Sequence, residues 1–469
     1  MLSKRLPHAF SQAEAVHCLT TRRSILIGYL VSFEPKDSTV VGHLKSFVAN
    51  SQGLLTRARL YCGNTREPFA ITMGNQKFYI ITKPEDVSVV FRNSTTLTFE
   101  IFAQEILHDL GCSEPAIRGI PRVKSPARLT REFHVHHLFP GNLLNDIGAE
   151  FVKYYEKTLS IEYLTSQTKH VTRDAYFGKL LRKIQPDMAW ILLEYDDLAW
   201  KVLFRYPPFL SRKMRAARDK VFKALEKYYA SPADQRTDTV WFTLALEKEM
   251  RKVGVNDRDI AIMAMTIYWG VATNSRKGAF WFITYIIFNP DLMAIVHDEI
   301  APAFMNAKVD QDYIANKCPR FRGAWEENLR MTAFSSSVRY ITEDTIIGKK
   351  ILRKGHRIMM PYRQMHLDES VFGERVEEFN SERFVKDPGL RRYNMAFGGG
   401  ATQCPGRYLA TQAIMVFVAM LIHRLQVTLD LPDQKFPDAE EAIPVLGIMD
   451  VKRSEDPSLR LQLRPISEE

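Results

Sequence analysis

The stretch that decides the fold is Phe397-Gly-Gly-Gly-Ala-Thr-Gln-Cys404-Pro-Gly-Arg407. Three successive glycines let the backbone adopt positive φ angles and approach a flat ligand closely. The apolar run Tyr408–Leu425 follows and predicts a helix, so Cys404 lies just before a helix N-terminus. Backbone N–H groups there stabilise a thiolate. The pattern predicts a metal-ligating Cys404, and the alternative is a glycine loop that holds a buried cysteine.

Composition places the chain among ordinary globular proteins. Hydrophobic residues make up 46% and charged residues 25% of the 469 residues, with a net charge of +10. Lysine and arginine are scattered rather than clustered, so we expect no nucleic-acid partner. The chain has five cysteines and no C-x-x-C pair, which argues against a disulfide framework or a structural zinc site. The cysteines other than Cys404 are therefore interpreted as small buried hydrophobes.

The spacing Phe397-x-x-Gly400-x-x-x-Cys404-x-Gly406 resembles the haem-binding loop of the cytochrome P450 family. The resemblance implies that Cys404 binds the iron of haem b (iron protoporphyrin IX). It also implies that Phe397, Gly398 and Gly406 surround this cofactor. The fold it implies is the cytochrome P450 fold, which is mainly α with a minor β part.

Two further motifs resemble the same family. Glu327-Asn-Leu-Arg330 resembles its E-x-x-R motif and lies 77 residues before Cys404. Ser381-Glu-Arg383-Phe384 resembles its P-E-R-F motif, with Ser381 in place of proline. The resemblance implies that Glu327, Arg330 and Arg383 form a buried charge triad that supports the cysteine loop. Taken alone, Glu327 and Arg330 would more often be a solvated helix pair.

The longest helical signal runs from about Asp257 to Phe288. It is apolar on most faces except at Thr273-Asn-Ser-Arg-Lys277. These polar residues argue against a membrane span, because they would sit in the middle of the bilayer. A buried helix with a polar centre fits better.

That polar centre departs from the family pattern. Most P450 monooxygenases carry an acid and a threonine there, which help deliver protons during oxygen activation. Here Thr273 replaces the acid and Asn274 replaces the threonine, so Ser275 or water would have to substitute. The stretch Trp269–Trp281 resembles the group of sterol 7α-hydroxylase, sterol 12α-hydroxylase and prostacyclin synthase. Members of that group either activate oxygen or isomerise a peroxide, and the sequence permits both. Asn274 can also be a buried polar residue that caps a kink in the helix.

The resemblance also implies how the cofactor and substrate are held. Arg339 matches the arginine that usually binds a haem propionate, and His134, His136 or His137 can supply another contact. The residues that match pocket positions are mostly apolar, which implies a lipophilic substrate, although core packing is nearly as good an interpretation for each. They are Phe99, Phe102, Trp269, Val271, Phe334, Val338 and Ile448.

Around these motifs the chain is predicted to be mostly helical. A strand pair is expected over Phe69–Thr82, with its turn at Gly74-Asn75-Gln76. Short strands are expected over Val338–Thr345 and Ile346–Arg353, and a closing hairpin over Val445–Pro465. Residues 1–40 are interpreted as a leader, with the remnant of a membrane anchor as one interpretation, and residues 41–469 as the haem domain.

The partners are those that the resemblance implies. A monooxygenase of this family would use O2 and NADPH–cytochrome P450 reductase, because the chain shows no strand–GxGxxG–helix unit of its own. It would lie on the cytoplasmic face of the endoplasmic reticulum membrane, by peripheral association if no anchor is present. The alternatives are a redox-neutral isomerase or dehydratase and, less well supported, a haem sensor or carrier.

Overall fold

The computed structural model describes residues 42–118, 126–159, 171–305, 308–431, 433–440, 447–452 and 457–464, and the predicted leader lies outside them. Helices dominate, and the strands form small sheets, so the prediction of a mainly α fold with a minor β part is confirmed. Twelve of the described helices precede the long central one: α1 Leu44–Ala49, α2 Ser51–Tyr61, α3 Pro84–Arg92, α4 Glu100–Leu110, α5 Glu114–Arg118, α6 Pro126–His137, α7 Asn142–Thr158, α8 Val171–Ile184, α9 Met188–Leu198, α10 Trp200–Leu203, α11 Arg212–Ala230 and α12 Trp241–Lys252.

The remaining helices include the two on which the site is built, α13 and α20. They are α13 Asp257–Ile287, α14 Pro290–Ile300, α15 Gln311–Asn316, α16 Pro319–Thr332, α17 Tyr362–His366, α18 Glu369–Phe372, α19 Arg383–Lys386 and α20 Arg407–Arg424. Single-turn 3₁₀ segments connect several of them. One of these, Gly400–Thr402, lies inside the cysteine loop.

The strands make one mixed sheet and two pairs. Their bounds are β1 Phe69–Met73, β2 Gln76–Ile80, β3 Leu97–Thr98, β4 Ser336–Ile341, β5 Thr345–Ile347, β6 Lys350–Leu352, β7 Arg357–Pro361, β8 Leu425–Leu429 and β9 Leu459–Leu463. The five-stranded sheet has the order β1-β2-β7-β4-β3, and β5-β6 and β8-β9 are separate pairs. The predicted strand pair at Phe69–Thr82 is confirmed as β1 and β2.

The central helix α13 begins and ends for identifiable reasons. The Asn256 side chain accepts a hydrogen bond from the amide of Asp259 and caps the N-terminus. Asn289-Pro290 starts α14, because proline cannot continue a helix interior but fits a first turn. The hydroxyls of Thr273 and Thr284 donate to carbonyls four residues earlier, which satisfies them inside a buried helix. α13 packs against α11, α16 and α20.

Two predictions about strands were wrong in detail. β4 ends at Ile341, because Asp344 accepts hydrogen bonds from the Lys354 amide and the Arg353 side chain and so fixes a turn before β5. Within the described part of the predicted closing hairpin, Ile448 and Val451 pair with Ala333 and Ala439 rather than with β9. β9 pairs antiparallel with β8, the strand that directly follows α20 and that buries Leu425 and Val427.

Length and composition give little sign of a membrane span. Among the described residues, no single helix is both apolar and long enough to cross a bilayer. Only α13 taken together with Pro290–Phe304 meets those criteria, and that pair is bent by 110°.

Candidate cofactor site

The cysteine loop folds as a tight turn that presents Cys404 immediately before α20. The amide of Cys404 donates to the carbonyl of Phe397 at 2.8 Å, and the amide of Gly398 donates to that of Met395 at 2.8 Å. Gly398 and Gly400 have φ angles of +70° and +58°, which other residues rarely adopt. The loop therefore needs glycine at these two positions.

The glycine run also allows a close approach of α3. A Cβ added to Gly399 would lie 2.6 Å from the ring of Phe91, and one added to Gly400 would lie 2.8 Å from the Phe91 carbonyl oxygen. On the other side, a Cβ at Gly398 would lie 3.1 Å from the hydroxyl of Tyr362. The loop is thus clamped between α3 and α17, and side chains at these glycines would displace it.

The protonation state of the Cys404 thiol depends on whether a metal cation binds to it. Burial raises its pKa, while a hydrogen bond from the Gly406 amide and the charge of Arg407 partly oppose that shift. A buried thiol of this kind stays protonated by itself, whereas coordination to a metal removes the proton. Arg407 also donates to the Cys404 carbonyl at 3.0 Å, which fixes the first turn of α20.

Arg339 on β4 is a buried cation that faces the cysteine loop. Only 4% of it is exposed, and it donates to the carbonyl of Val338 and the hydroxyl of Thr402. Its guanidinium also lies 5.5 Å and 5.3 Å from the ring centres of Phe91 and Phe99. Among the described residues no carboxylate forms an ion pair with it, and burial lowers its pKa to about 10. A buried arginine in this state matches an anionic partner.

The structure brings Glu327, Arg330 and Arg383 together. A Glu327 carboxylate oxygen lies 2.7 Å from Nη2 of Arg330 and 3.2 Å from Nε of Arg383. Glu327 and Arg330 are completely buried, and Arg383 is 9% exposed. Arg330 also donates to the carbonyls of His366 and Val376, so the cluster ties α16 to the irregular stretch that leads to the cysteine loop.

The polar centre of α13 is occupied by contacts within the protein. Asn274 donates from Nδ2 to the Gly270 carbonyl at 3.1 Å and accepts at Oδ1 from the Ile448 amide at 3.0 Å. Thr273 is buried, with its hydroxyl bonded to the Trp269 carbonyl at 2.8 Å. Ser275 is half-buried, and the structure gives its hydroxyl no hydrogen-bond partner among the described residues. The half-buried Asn274 thus joins α13 to the segment 447–452, and α13 runs without a break through this position, so the alternative in which it caps a kink is wrong.

The predicted pocket residues come from segments that meet. The Phe334 amide donates to the Gly447 carbonyl at 3.1 Å, which places the start of β4 beside Ile448. The rings of Phe99 and Phe102 are 5.6 Å apart, and α4 contacts β4. Val271 and Val338 are half-buried. The Trp269 indole donates to Asp196 on α9 at 2.7 Å and lies 5.3 Å from the Tyr195 ring, so α9 holds this side chain.

The predicted histidine contacts lie elsewhere. His134 bonds to the Thr130 carbonyl at 2.7 Å and packs edge-on against Phe242 of α12. Burial lowers its pKa to about 4, so it is neutral. His137 stacks on Phe133 at 3.9 Å, and His136 is exposed. The structure does not bring any of the three side chains to the cysteine loop.

Sequence reasoning missed several residues around the loop. Tyr362 shares a 2.6 Å hydrogen bond with Ser337, and Thr402 holds Arg339. The amide of Met395 donates to Nε2 of His366 at 2.8 Å. The sequence held one weak signal for Tyr362 and His366. Both precede an acidic stretch, containing proline and glycine, that connects the charge triad to Cys404.

The comparisons with known proteins agree with this geometry. The cytochrome P450 family model matches residues 171–450, and the chain belongs to that family. The chain is 24% identical to cytochrome P450 monooxygenase nodJ of Hypoxylon pulicicidum over 428 residues, which cover 83% of this chain and 81% of nodJ.

Two other relatives cover less. Cytochrome P450 7A1 of Rattus norvegicus is 23% identical over 306 residues, 58% of this chain and 60% of the relative. Prostacyclin synthase of Bos taurus is 23% identical over 241 residues, 46% of this chain and 48% of the relative. The resemblance to the sterol hydroxylase and prostacyclin synthase group is therefore confirmed, and the chain belongs to the cytochrome P450 monooxygenase family.

Membership of the family implies a haem-thiolate cofactor, and the residues present fit one. Cys404 would supply the sulfur ligand before a helix N-terminus, and the glycine run would let the cofactor lie close to the backbone. Arg339 offers a buried positive charge without a carboxylate of its own, as a propionate requires.

Proposed function

We propose that the chain is a haem-thiolate monooxygenase in which Cys404 binds the iron of haem b and Arg339 binds a propionate. One observation carries this proposal. The Cys404 thiol lies just before α20, and across the same loop lies the buried guanidinium of Arg339, which forms no ion pair with a described carboxylate. The haem would supply the redox chemistry of oxygen activation. The polypeptide holds the sulfur, neutralises the cofactor's carboxylates and excludes water.

The reduced protein treated with carbon monoxide tests the thiolate ligand. We expect the red-shifted absorption band that gives the family its name, and we expect Cys404→Ala to abolish it. Cys318→Ala is the matched control, since Cys318 is buried and donates only to the carbonyls of Glu299 and Tyr313. A haem-loaded Cys404→Ala protein that kept the band would contradict the assignment.

The pocket residues support a lipophilic substrate: a sterol, a terpenoid or another natural product. Phe99, Phe102, Val271, Phe334, Val338 and Ile448 are apolar and lie on segments that contact each other. Difference spectra recorded against a library of lipophilic compounds test this proposal. Exclusive binding of small polar ligands would contradict it.

The polar centre of α13 favours a second candidate, a redox-neutral isomerase or dehydratase. The acid position is Thr273, and both polar atoms of Asn274 are engaged with backbone groups. Among these described residues, Ser275 is the one whose hydroxyl makes no hydrogen bond within the protein. Turnover of a substrate without reductase and O2 would select this candidate, whereas strict dependence on both would select the monooxygenase.

NADPH–cytochrome P450 reductase is the proposed electron donor. A groove beside the cysteine loop is lined by α3 and by the segment Arg391–Met395, and Arg92, Arg391 and Arg392 are exposed along it. Such a surface suits an acidic partner, and its affinity should fall with ionic strength. Reduction of the haem by reductase and NADPH at increasing salt tests this assignment.

We also propose that the protein associates with the cytoplasmic face of the endoplasmic reticulum membrane, with residues 1–40 as a leader and residues 41–469 as the haem domain. Phe209 and Leu210 are 66% and 53% exposed in the loop before α11. Arg212 and Lys213 follow directly. Apolar side chains flanked by basic ones favour an anionic lipid surface.

A further inference from the structure

His366, the last residue of α17, joins the charge triad to the cysteine loop. It is completely buried. Its carbonyl accepts from Nη1 of Arg330 at 2.9 Å, and its Nε2 accepts from the amide of Met395 at 2.8 Å. The Met395 carbonyl in turn accepts the amide of Gly398, the first glycine of the loop. One residue thus touches both the triad and the start of the loop.

The ring has one permitted protonation state. A backbone amide can only donate, so Nε2 of His366 carries no proton. Burial, with the charges of Arg330 and Arg363, lowers the pKa of His366 to about 3, so the ring is neutral. The single proton therefore resides on Nδ1.

Nδ1 is buried, and a contact with the backbone of Arg330 favours the proton on the ring. An apolar side chain of similar size would leave the Met395 amide without an acceptor, and an unpartnered buried donor costs roughly 1–3 kcal/mol. The acceptor at Nε2 is therefore the function that accounts for a histidine at this position.

We propose that His366 is a positioning residue for the proposed haem ligand Cys404. Through Nε2 it fixes the Met395 amide, and with it the entry of the loop that carries Cys404. Through its carbonyl, which accepts from Arg330, it fixes the position of α17 relative to the charge triad. The inference rests on the proposed role of Cys404 for its catalytic meaning, while the structural link can be measured independently.

The test compares three substitutions in the full-length, haem-loaded protein. His366→Gln places a carbonyl oxygen the same number of bonds from the backbone as Nε2, so it should restore the acceptor. His366→Leu removes the acceptor, and His366→Asn places it one bond short. Hydrogen exchange at the Met395 amide, resolved by mass spectrometry, should be roughly tenfold faster in the Leu and Asn variants, as expected for the loss of one hydrogen bond. In the Gln variant it should stay near the wild-type rate.

The reduced carbon monoxide spectrum supplies a second readout. The Leu and Asn variants should show part of their haem in the blue-shifted band that marks loss of the native thiolate bond, and the Gln variant should not. Gln364→Leu is the matched control. Gln364 is a buried polar residue on the same helix, but its side chain bonds to Gln52, Thr56 and Arg59. It should leave both readouts unchanged.

Unchanged Met395 exchange in His366→Leu would overturn the proposal. If that variant does not fold, equal exchange in His366→Gln and His366→Asn would overturn it. Failure of the proposed function is distinguishable, because Cys404→Ala would then keep the red-shifted band while the exchange results still reported on His366.

Discussion

Arg339 shows how a single residue can reveal its partner. It is a buried cation whose described contacts are one carbonyl, one hydroxyl and two aromatic faces. Burial of a charge without an opposite charge costs several kcal/mol, so the surroundings of Arg339 favour an anion beside it. The proposed partner is a haem propionate.

Substitution of Arg339 separates haem binding from folding. Arg339→Met should weaken haem retention roughly 10- to 100-fold, because a charge-assisted hydrogen bond contributes about 1.5–3 kcal/mol. The haem-free protein should be no less stable, since a desolvated charge is removed. Haem transfer to an acceptor protein measures retention, and urea unfolding of the haem-free protein measures stability.

Arg339→Lys is the conservative control. It should retain part of the affinity, because the charge remains while the bidentate geometry is lost. Haem transfer from Arg339→Met at the wild-type rate would show that the guanidinium does not contact the cofactor.

Residues with strong local patterns were predictable from the sequence. Cys404 and the charge triad have fixed spacings in motifs, and the structure places them as those motifs imply. The orientation of Asn274 was not predictable, because it depends on the Ile448 amide, which is 174 residues away in the chain. His134 and His137 of α6 illustrate the same limit, since both pack against Phe242 of α12, a residue far away in the chain.

At the scale of elements, the triad connects α16 to the segment before the loop. Glu327 is the only described carboxylate that pairs with Arg330 and Arg383. Its removal leaves two buried guanidinium groups without a counter-charge. The bounds of α13 were predictable from the sequence because its capping signals are strong. The pairing of β9 with β8 was not predictable, because it depends on contacts between residues that are far apart in the chain.

Glu327→Gln should destabilise the protein by about 3–5 kcal/mol, because it breaks a buried ion cluster while its partners remain. The midpoint of urea unfolding, with haem absorbance as a parallel signal, measures this loss. Glu326→Gln is the adjacent control. Its charged partners Arg322 and Arg391 are 33% and 41% exposed, so the loss should be much smaller. Equal losses in the two variants would contradict the special role of the triad.

A second cluster joins three segments around the proposed pocket. Lys277 of α13 lies 2.7 Å from Asp196 of α9 and 3.2 Å from Asp450, and Asp196 also accepts from Trp269. The Lys277 and Asp196 side chains are only 12% and 8% exposed. The ammonium therefore holds α9 and the segment 447–452 against α13.

Lys277→Met should cost about 3–5 kcal/mol of unfolding free energy, because it leaves the buried Asp196 carboxylate without its cation, whereas Asp450 keeps Arg276 at 3.6 Å. The double variant Lys277→Met/Asp196→Asn should recover part of that loss, and a double-mutant cycle gives the coupling. The exposed pair Lys252–Glu249 is the control, and Lys252→Met should cost less than about 1 kcal/mol. Strict additivity of the two central substitutions would exclude a direct coupling.

At the scale of the whole molecule, two exposed apolar side chains lie next to each other on the surface before α11. Phe209 and Leu210 stand together in the loop after α10, where Lys201 donates to the Leu210 carbonyl at 3.2 Å. The neighbouring Phe204 ring lies 5.9 Å from the buried Phe47 ring, so this segment packs against the first described helix. Because the net charge is +10, an anionic bilayer should attract the same molecule over a distance set by ionic strength.

The double substitution Phe209→Ser/Leu210→Ser should weaken binding to vesicles that contain anionic phospholipid. Burial of two large side chains contributes about 1.5–3 kcal/mol each when complete, so even partial insertion predicts a loss of roughly tenfold. Ile346→Ser is the matched control, since Ile346 is 57% exposed but lies in the β5–β6 pair.

Flotation of the full-length protein with vesicles, at low and high salt, measures the apolar and the electrostatic contributions to binding. Salt should weaken binding of all variants, because it screens the basic charge, whereas only the Phe209/Leu210 variant should lose the salt-resistant part. Equal salt-resistant binding by the wild type and that variant would show that this loop does not enter the bilayer.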